Sequence, residues 1–131
     1  MRTLALLIAL ATLTLAGSAQ ATTLVTFHKG GGFAGVDNRL TVSTGGTAVI
    51  TAREAKPVKH KLKAKTLSRV KRLIADAHLE KPIDKTPTGC ADCFEYTIRA
   101  RGHTVSFDES RVPKRLGPLL SELARILNGG R

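Results

Sequence analysis

The chain has 131 residues, with 21 Lys and Arg against 10 Asp and Glu and a formal net charge of +11. Nine of the basic residues lie within residues 53–72, where Glu54 is the only acid, so the sequence is not that of a uniformly basic, histone-like protein. A 42% apolar fraction excludes intrinsic disorder, and two cysteines exclude a disulfide-dense scaffold. No Trp and a single Tyr argue against a surface that stacks bases or sugars.

The first residues have the pattern of a bacterial signal peptide. Met1-Arg2 is positively charged, Leu4 to Leu15 is apolar, and Ala19-Gln20-Ala21 is a small-x-small cleavage pattern. The apolar run is shorter than the ~20 residues of a membrane-spanning helix, which disfavours an uncleaved anchor. We therefore predict a signal peptide at 1–21, cleavage after Ala21, a single domain at 22–131, and a periplasmic or extracellular location.

Strands and helices are predicted from apolar periodicity. Alternating, β-branched runs predict strands at 23–29, 39–43, 47–52, 94–100 and 103–107, with turns at Gly45-Gly46 and Arg101-Gly102. Steps of three and four predict helices at about 64–78 and from Pro118 to the stop at Gly129. The order β-β-β-α-β-β-α indicates an α+β fold, a small antiparallel sheet of about four to five strands packed by two helices.

Cys90 and Cys93 are separated by two residues, a spacing with four interpretations. A thioredoxin-like redox pair begins a helix, whereas a strand follows here, and haem attachment needs a His where Phe94 stands. A zinc site would need two more ligands from histidines that show no ligand spacing. We favour a local disulfide, and we expect no metal site and no cofactor. Since catalytic motifs are also absent, we predict that the protein is not an enzyme.

A glycine-rich loop surrounds Phe33. Gly30, Gly31 and Gly32 precede this aromatic residue, and Ala34 and Gly35 follow it. The glycines could allow Phe33 to turn back into the core. Alternatively, the loop binds a partner, with a closely approachable backbone and Phe33 as an apolar anchor.

The basic segment also has two interpretations. Lys59, Lys61, Lys63 and Lys65 alternate with other residues, as on the solvated side of an extended edge where lysines prevent unwanted pairing. As a binding strip they would give weak, salt-sensitive contact with an anionic envelope surface. An exported protein rarely meets nucleic acid, so we expect no nucleic-acid partner.

Several segments resemble the emfourin-type protealysin inhibitors. The segment from Val25 to Val36, with its Gly-Gly-Phe-Ala-Gly run, is similar to the family's opening strand and signature. The apolar spacing from Leu62 to Ile74 is similar to that of its middle helix. Asp92 to Tyr96, Val105 to Asp108 and Val112 to Leu116 resemble its closing hairpin and final helix. The leader, the cysteine pair and the lysine-rich middle are departures from the pattern.

The resemblance implies a small α+β protein, without a metal of its own, that inhibits a thermolysin-like bacterial zinc metallopeptidase by protein–protein contact. We predict that the binding residues are Gly31, Gly32, Phe33, Ala34 and Gly35. This prediction rests on the chemistry of the loop and not on known contacts of the family. Phe33 would fill the apolar pocket beside the catalytic zinc of the protease. The second hypothesis is a periplasmic module that binds an anionic surface through residues 53–72. We expect a monomer in either case.

Overall fold

The computed structural model describes residues 21–130, so all of the predicted signal peptide except Ala21 lies outside the described residues. The fold is α+β, as predicted, with six strands and two α-helices. Two single 3-10 turns, at Glu109–Arg111 and Lys114–Leu116, precede the second α-helix. The elements in chain order are β1 Thr23–Gly31, β2 Val36–Ser43, β3 Thr47–Ala52, β4 Val58–Lys61, α1 Ala64–Asp76, β5 Phe94–Ala100, β6 His103–Asp108 and α2 Gly117–Leu127.

The six strands form one antiparallel sheet in the order β4-β3-β2-β1-β5-β6. Both predicted hairpins are present. Leu40 lies opposite Ile50 and Val42 opposite Ala48, so the apolar side chains of β2 and β3 share a face. The first strand lies near the middle of the sheet, between β2 and β5.

The predicted strand number was too low, because β4 was not recognised. The composition around Val58–Lys61, with Pro57 and several lysines, indicates a loop. The alternation of apolar residues that would indicate a strand is short in this segment. In the structure β4 pairs with β3 and forms an edge of the sheet, with Lys59 and Lys61 exposed. An edge strand tolerates this composition because lysines hinder pairing with another chain.

One face of the sheet is covered by the two helices. Phe27 and Leu40 from the sheet are fully buried with Leu119, Leu123 and Ile126 of α2. Tyr96 stacks on Phe27 with ring centroids 6.0 Å apart and also contacts Phe107. The opposite face carries polar side chains and is not covered by any helix in residues 21–130, so we refer to it as the open face.

The helices follow the predicted spacing. Val70 and Ile74 of α1 are buried one turn apart, and α2 begins one residue before the expected Pro118, which lies in its first turn. Within the described residues, neither of them has the length and hydropathy needed to cross a bilayer.

Glu122 of α2 is only 6% exposed. Arg125 donates hydrogen bonds of 2.8 and 3.2 Å to its two carboxylate oxygens, and Arg69 of α1 lies 3.6 Å away. The hydrogen bond from Arg125 is the main cause that lowers the pKa of Glu122. Arg125 and Glu122 belong to the same helix, so the two helices are linked by the ion pair of Glu122 with Arg69, which exists only while Glu122 is ionised.

We expect this pair to make stability depend on acid pH. A carboxyl group with a lowered pKa in the folded state contributes stability above its unfolded pKa of ~4.3, which is lost as the pH falls through the folded value. Urea unfolding between pH 7 and pH 2.5 should therefore show a steeper acid decline in the wild type than in Glu122→Gln. Glu54→Gln, at an exposed carboxyl group that forms no ion pair or side-chain hydrogen bond within residues 21–130, is the control. Parallel declines for wild type and Glu122→Gln would contradict the prediction.

Candidate functional site

The β1–β2 hairpin carries the glycine-rich loop at its tip. Gly31 is the last residue of β1 and lies opposite Val36, so residues 32–35 form a four-residue connection. Within it the Gly35 amide donates a 3.1 Å hydrogen bond to the Gly32 carbonyl, which closes a β-turn with Phe33 and Ala34 at its centre. Gly35 follows with a φ of +60°, the left-handed conformation that returns the chain to β2.

Phe33 points into solvent. Its side chain is 96% exposed, whereas the only other exposed large apolar residue in the described part of the chain, Val58, is 57% exposed. The interpretation in which Phe33 turns back into the core is therefore wrong. A turn at the end of a hairpin places its central side chains beyond the sheet, where the core cannot reach them. The tip is an apolar knob on an ordered backbone.

Phe94 supports the base of the loop. It lies opposite Gly31 in the β1–β5 pair, and the Lys29 ammonium group is 3.8 Å from the centroid of its ring. Gly32 has a φ of +72°, and a Cβ atom at this position would lie 2.5 Å from the Phe94 ring. Gly32 is therefore needed both for its backbone conformation and for close contact with this ring.

The cysteine pair is adjacent to the same loop. Cys90 and Cys93 are at disulfide distance, with Cα atoms 5.5 Å apart, which agrees with the predicted local bridge. The Cys93 carbonyl accepts a 3.2 Å hydrogen bond from the Gly32 amide. The Cys90–Cys93 bridge thus constrains Cys93, whose carbonyl group holds the Gly32 end of the β-turn.

Replacing both cysteines by serine should loosen the loop. The chain-entropy argument for so short a loop gives a loss of about 2 kcal/mol in the free energy of unfolding. Amide hydrogen exchange should also accelerate at Gly32, because its acceptor on Cys93 becomes less fixed. Unchanged exchange at Gly32 in this double variant would show that the bridge does not order the hairpin.

Charged side chains flank the hairpin. Asp37 of β2 accepts a 2.8 Å hydrogen bond from His28 of β1. That hydrogen bond is the main cause that lowers the pKa of Asp37, and the nearby charges of Arg53 and Arg39 lower it further. An Arg53 nitrogen also lies 3.6 Å from the position of a Cβ atom at Gly35. Cations and acids therefore both border the knob, since Glu95 lies opposite Gly30 and Glu109 accepts a 3.1 Å hydrogen bond from the Phe94 amide.

The predicted basic strip is divided between different parts of the surface. Lys59 and Lys61 project from the open face of β4, and Lys61 donates a hydrogen bond to the Gly45 carbonyl. Lys63 is the residue before α1, and Lys65 lies in its first turn. All four are exposed. The sequence segment is continuous, but its lysines do not line one face.

The described residues contain no cluster of three or more His, Cys, Asp or Glu side chains that could hold a metal ion. What the sequence did not indicate were the supports of the loop, namely Lys29, Phe94 and Arg53. Their roles depend on strand register and turn geometry, which place residues distant in sequence beside the loop. The one local feature of the sequence that indicated the loop was Phe33 with the glycines around it.

A family model described as Emfourin matches residues 42–124, more than half of the chain. This match confirms the family resemblance predicted from the sequence. The Gly31–Gly35 loop lies outside the matched range, so the match does not bear on its role. No curated protein sequence matches the chain.

Proposed function

Because this chain belongs to the emfourin family, we propose that it inhibits a thermolysin-like zinc metallopeptidase of its own organism by protein–protein contact. Membership suggests an inhibitor of metallopeptidases rather than an enzyme. The finer proposal, that the β1–β2 hairpin enters the active-site cleft, is supported best by one observation, the 96% exposure of Phe33 at the hairpin tip.

The hairpin has the physical properties of an inhibitory loop. Burial of a Phe side chain contributes roughly 1.5–3 kcal/mol, which a partner with an apolar pocket would provide. The backbone of the loop is fixed by the bonds from Gly35 to Gly32 and from Gly32 to Cys93, so less conformational entropy is lost on binding. Thermolysin-like enzymes have such a pocket for a bulky side chain next to the zinc ion.

The net positive charge of the chain favours a partner with an acidic rim. Lys29 and Arg53 lie near the base of the loop, and Arg39 lies on the adjacent strand. Long-range attraction of this kind raises the association rate more than it raises affinity. We therefore propose that Phe33 determines the affinity and that the basic groups determine how fast the complex forms.

Inhibition is tested with the purified protein and the secreted zinc metallopeptidases of the same organism. We expect slower peptide hydrolysis at micromolar protein with one-to-one stoichiometry. A small hydroxamate inhibitor, which occupies the zinc and the adjacent pocket, should compete with the protein. Lack of inhibition of every such enzyme would reject the function. Inhibition without competition would reject the proposed contact but keep the function.

Neutralising the lysine-rich segment provides a further test. We expect Lys59→Gln, Lys61→Gln, Lys63→Gln and Lys65→Gln together to lower the association rate constant several-fold at low salt and to leave the dissociation rate constant unchanged. Surface plasmon resonance at ~50 and ~200 mM salt measures both constants. Loss of binding to the protease would instead place the lysines within the contact. Salt-sensitive retention of the wild type on anionic vesicles, abolished by the same substitutions, would support the alternative function as an anionic-surface module.

A further inference from the structure

A cleft lies at the end of β1 that is farthest from the Phe33 hairpin. The β1–β5 pairing ends at Thr26 opposite Arg99, and no further pair of these strands forms in the described chain. β5 ends at Ala100, one residue beyond that point, and a cavity of about 360 Å³ lies where the chain turns through Arg101 and Gly102. Its lining consists of Thr23, Leu24, Thr26, Arg99, Ala100, Arg101 and Gly102. At roughly 3.3 Å per residue of strand, the cleft is too distant from the hairpin to take part in the same contact.

The lining combines two guanidinium groups with threonine hydroxyl groups and contains no acid. Within the described residues, neither Arg99 nor Arg101 forms an ion pair or a side-chain hydrogen bond. Both side chains are exposed and free to adopt the geometry of a ligand. By contrast, a cavity of about 410 Å³ beside β6 is lined by Asp84, Glu95 and Asp108 as well as by basic residues.

Two irregularities of the backbone form this cleft. The register of β1 against β2 shifts between Thr23 and Val25, so β1 carries an extra residue there, as in a β-bulge. On the other side, Arg101 has a φ of +53° in the turn before Gly102, a conformation for which Asn or Gly is preferred. An asparagine would adopt this backbone conformation with less strain than an arginine.

From these features we propose that the cleft is a binding site for a phosphate group, carried by a small phosphate ester or by a lipid headgroup. Arginine binds phosphate through two parallel N–H donors, and two arginines with threonine hydroxyls match the several oxygens of a tetrahedral dianion. A carboxylate has only two oxygens and would leave donors unused. The half-buried Leu24 provides an apolar contact for the organic part of the ester. This site does not depend on the inhibitory function.

Nuclear magnetic resonance titration of the purified protein with inorganic phosphate tests the site. In low-salt buffer, with chloride at equal ionic strength as the reference, we expect the largest amide shifts at Leu24, Thr26 and residues 99–102. Acetate should bind at least about tenfold more weakly, since it engages fewer donors. Phosphate shifts concentrated in residues 53–72, or equal affinity for acetate, would overturn the proposal.

Arg101→Asn separates binding from folding. Asparagine suits the left-handed turn better than arginine, so the variant should unfold at the same or a higher temperature. It should nevertheless lose at least about tenfold in phosphate affinity, as should Arg99→Gln. Arg39→Gln, on the open face but outside the lining, is the matched control and should bind as the wild type does. Wild-type phosphate affinity in Arg101→Asn would overturn the proposal.

Vesicles distinguish the two sources of the phosphate. Sedimentation with vesicles that contain phosphatidic acid, whose headgroup is a phosphomonoester, but not with phosphatidylcholine vesicles, reduced by Arg101→Asn, would identify a lipid headgroup. The same cleft shifts with inorganic phosphate and no sedimentation would identify a soluble phosphate ester. Sedimentation that Arg101→Asn leaves unchanged, without phosphate shifts at the cleft, would overturn the proposal in favour of nonspecific binding by the lysine-rich segment.

Discussion

Phe33→Ala is expected to weaken inhibition of the target metallopeptidase by at least about 2 kcal/mol, or roughly thirtyfold in the inhibition constant. Phe33 is the most exposed large apolar side chain of the described residues, so its contacts are available to a partner without any rearrangement of the fold. Removal of the ring should chiefly raise the dissociation rate constant, since the charges that direct the encounter remain. Progress curves with varied inhibitor concentration measure both rate constants.

Two controls accompany this variant. Val58→Ala removes the other exposed large apolar side chain of the described residues, on β4, and should change the inhibition constant by less than about twofold. The thermal unfolding midpoint of Phe33→Ala should equal that of the wild type, because Phe33 contributes nothing to the core. If Phe33→Ala inhibits as strongly as the wild type, the hairpin tip is not the contact, and another surface of the protein must be sought.

Gly32→Ala is expected to destabilise the protein by about 3 kcal/mol and to weaken inhibition as well. A left-handed conformation costs an alanine roughly 1–2 kcal/mol, and overpacking a well-filled contact costs roughly 1–3 kcal/mol. The added methyl group would lie 2.5 Å from the Phe94 ring, so the ring must move away from the Lys29 ammonium group and from the loop. Urea unfolding and inhibition assays measure the two effects.

Gly45→Ala is the matched control for this substitution. Gly45 also lies in a turn between strands, but a Cβ atom there would have its nearest neighbour at 3.8 Å. The control should change the free energy of unfolding by no more than about 0.5 kcal/mol. Equal losses in Gly32→Ala and Gly45→Ala would mean that Gly32 has no special role beneath the hairpin.

The parts of the fold that follow from local periodicity could be predicted from the sequence. Alternation in Phe94–Ala100 gave the correct buried face of β5, and steps of three and four gave both helices. The strand β4 could not be predicted with the same certainty, because its four residues include two lysines and its pairing with β3 is non-local. The composition of this segment indicates a loop, whereas its pairing with β3 makes it a strand.

The candidate sites were predictable only in part. The glycines around Phe33 indicated an unusual loop, but two orientations of the ring were compatible with them. The β-turn between Gly32 and Gly35 determines which orientation the ring takes. The geometry of this turn cannot be read from the sequence. The cleft at Arg99 and Arg101 gave no signal at all, because it arises where the β1–β5 pairing ends and where β1 gains a residue.

The exposure of Phe33 has a consequence for the protein at high concentration. The exposed aromatic ring of Phe33 can bind to the same ring of a second copy. Within the described chain, Phe33 is almost free of contacts that would hold its ring against the fold. The net charge of +11 opposes such self-association, since like-charged molecules repel at ordinary ionic strength. Salt screens this repulsion and strengthens the attraction between rings. The excess of basic residues therefore acts against association of two copies through their bare apolar tips.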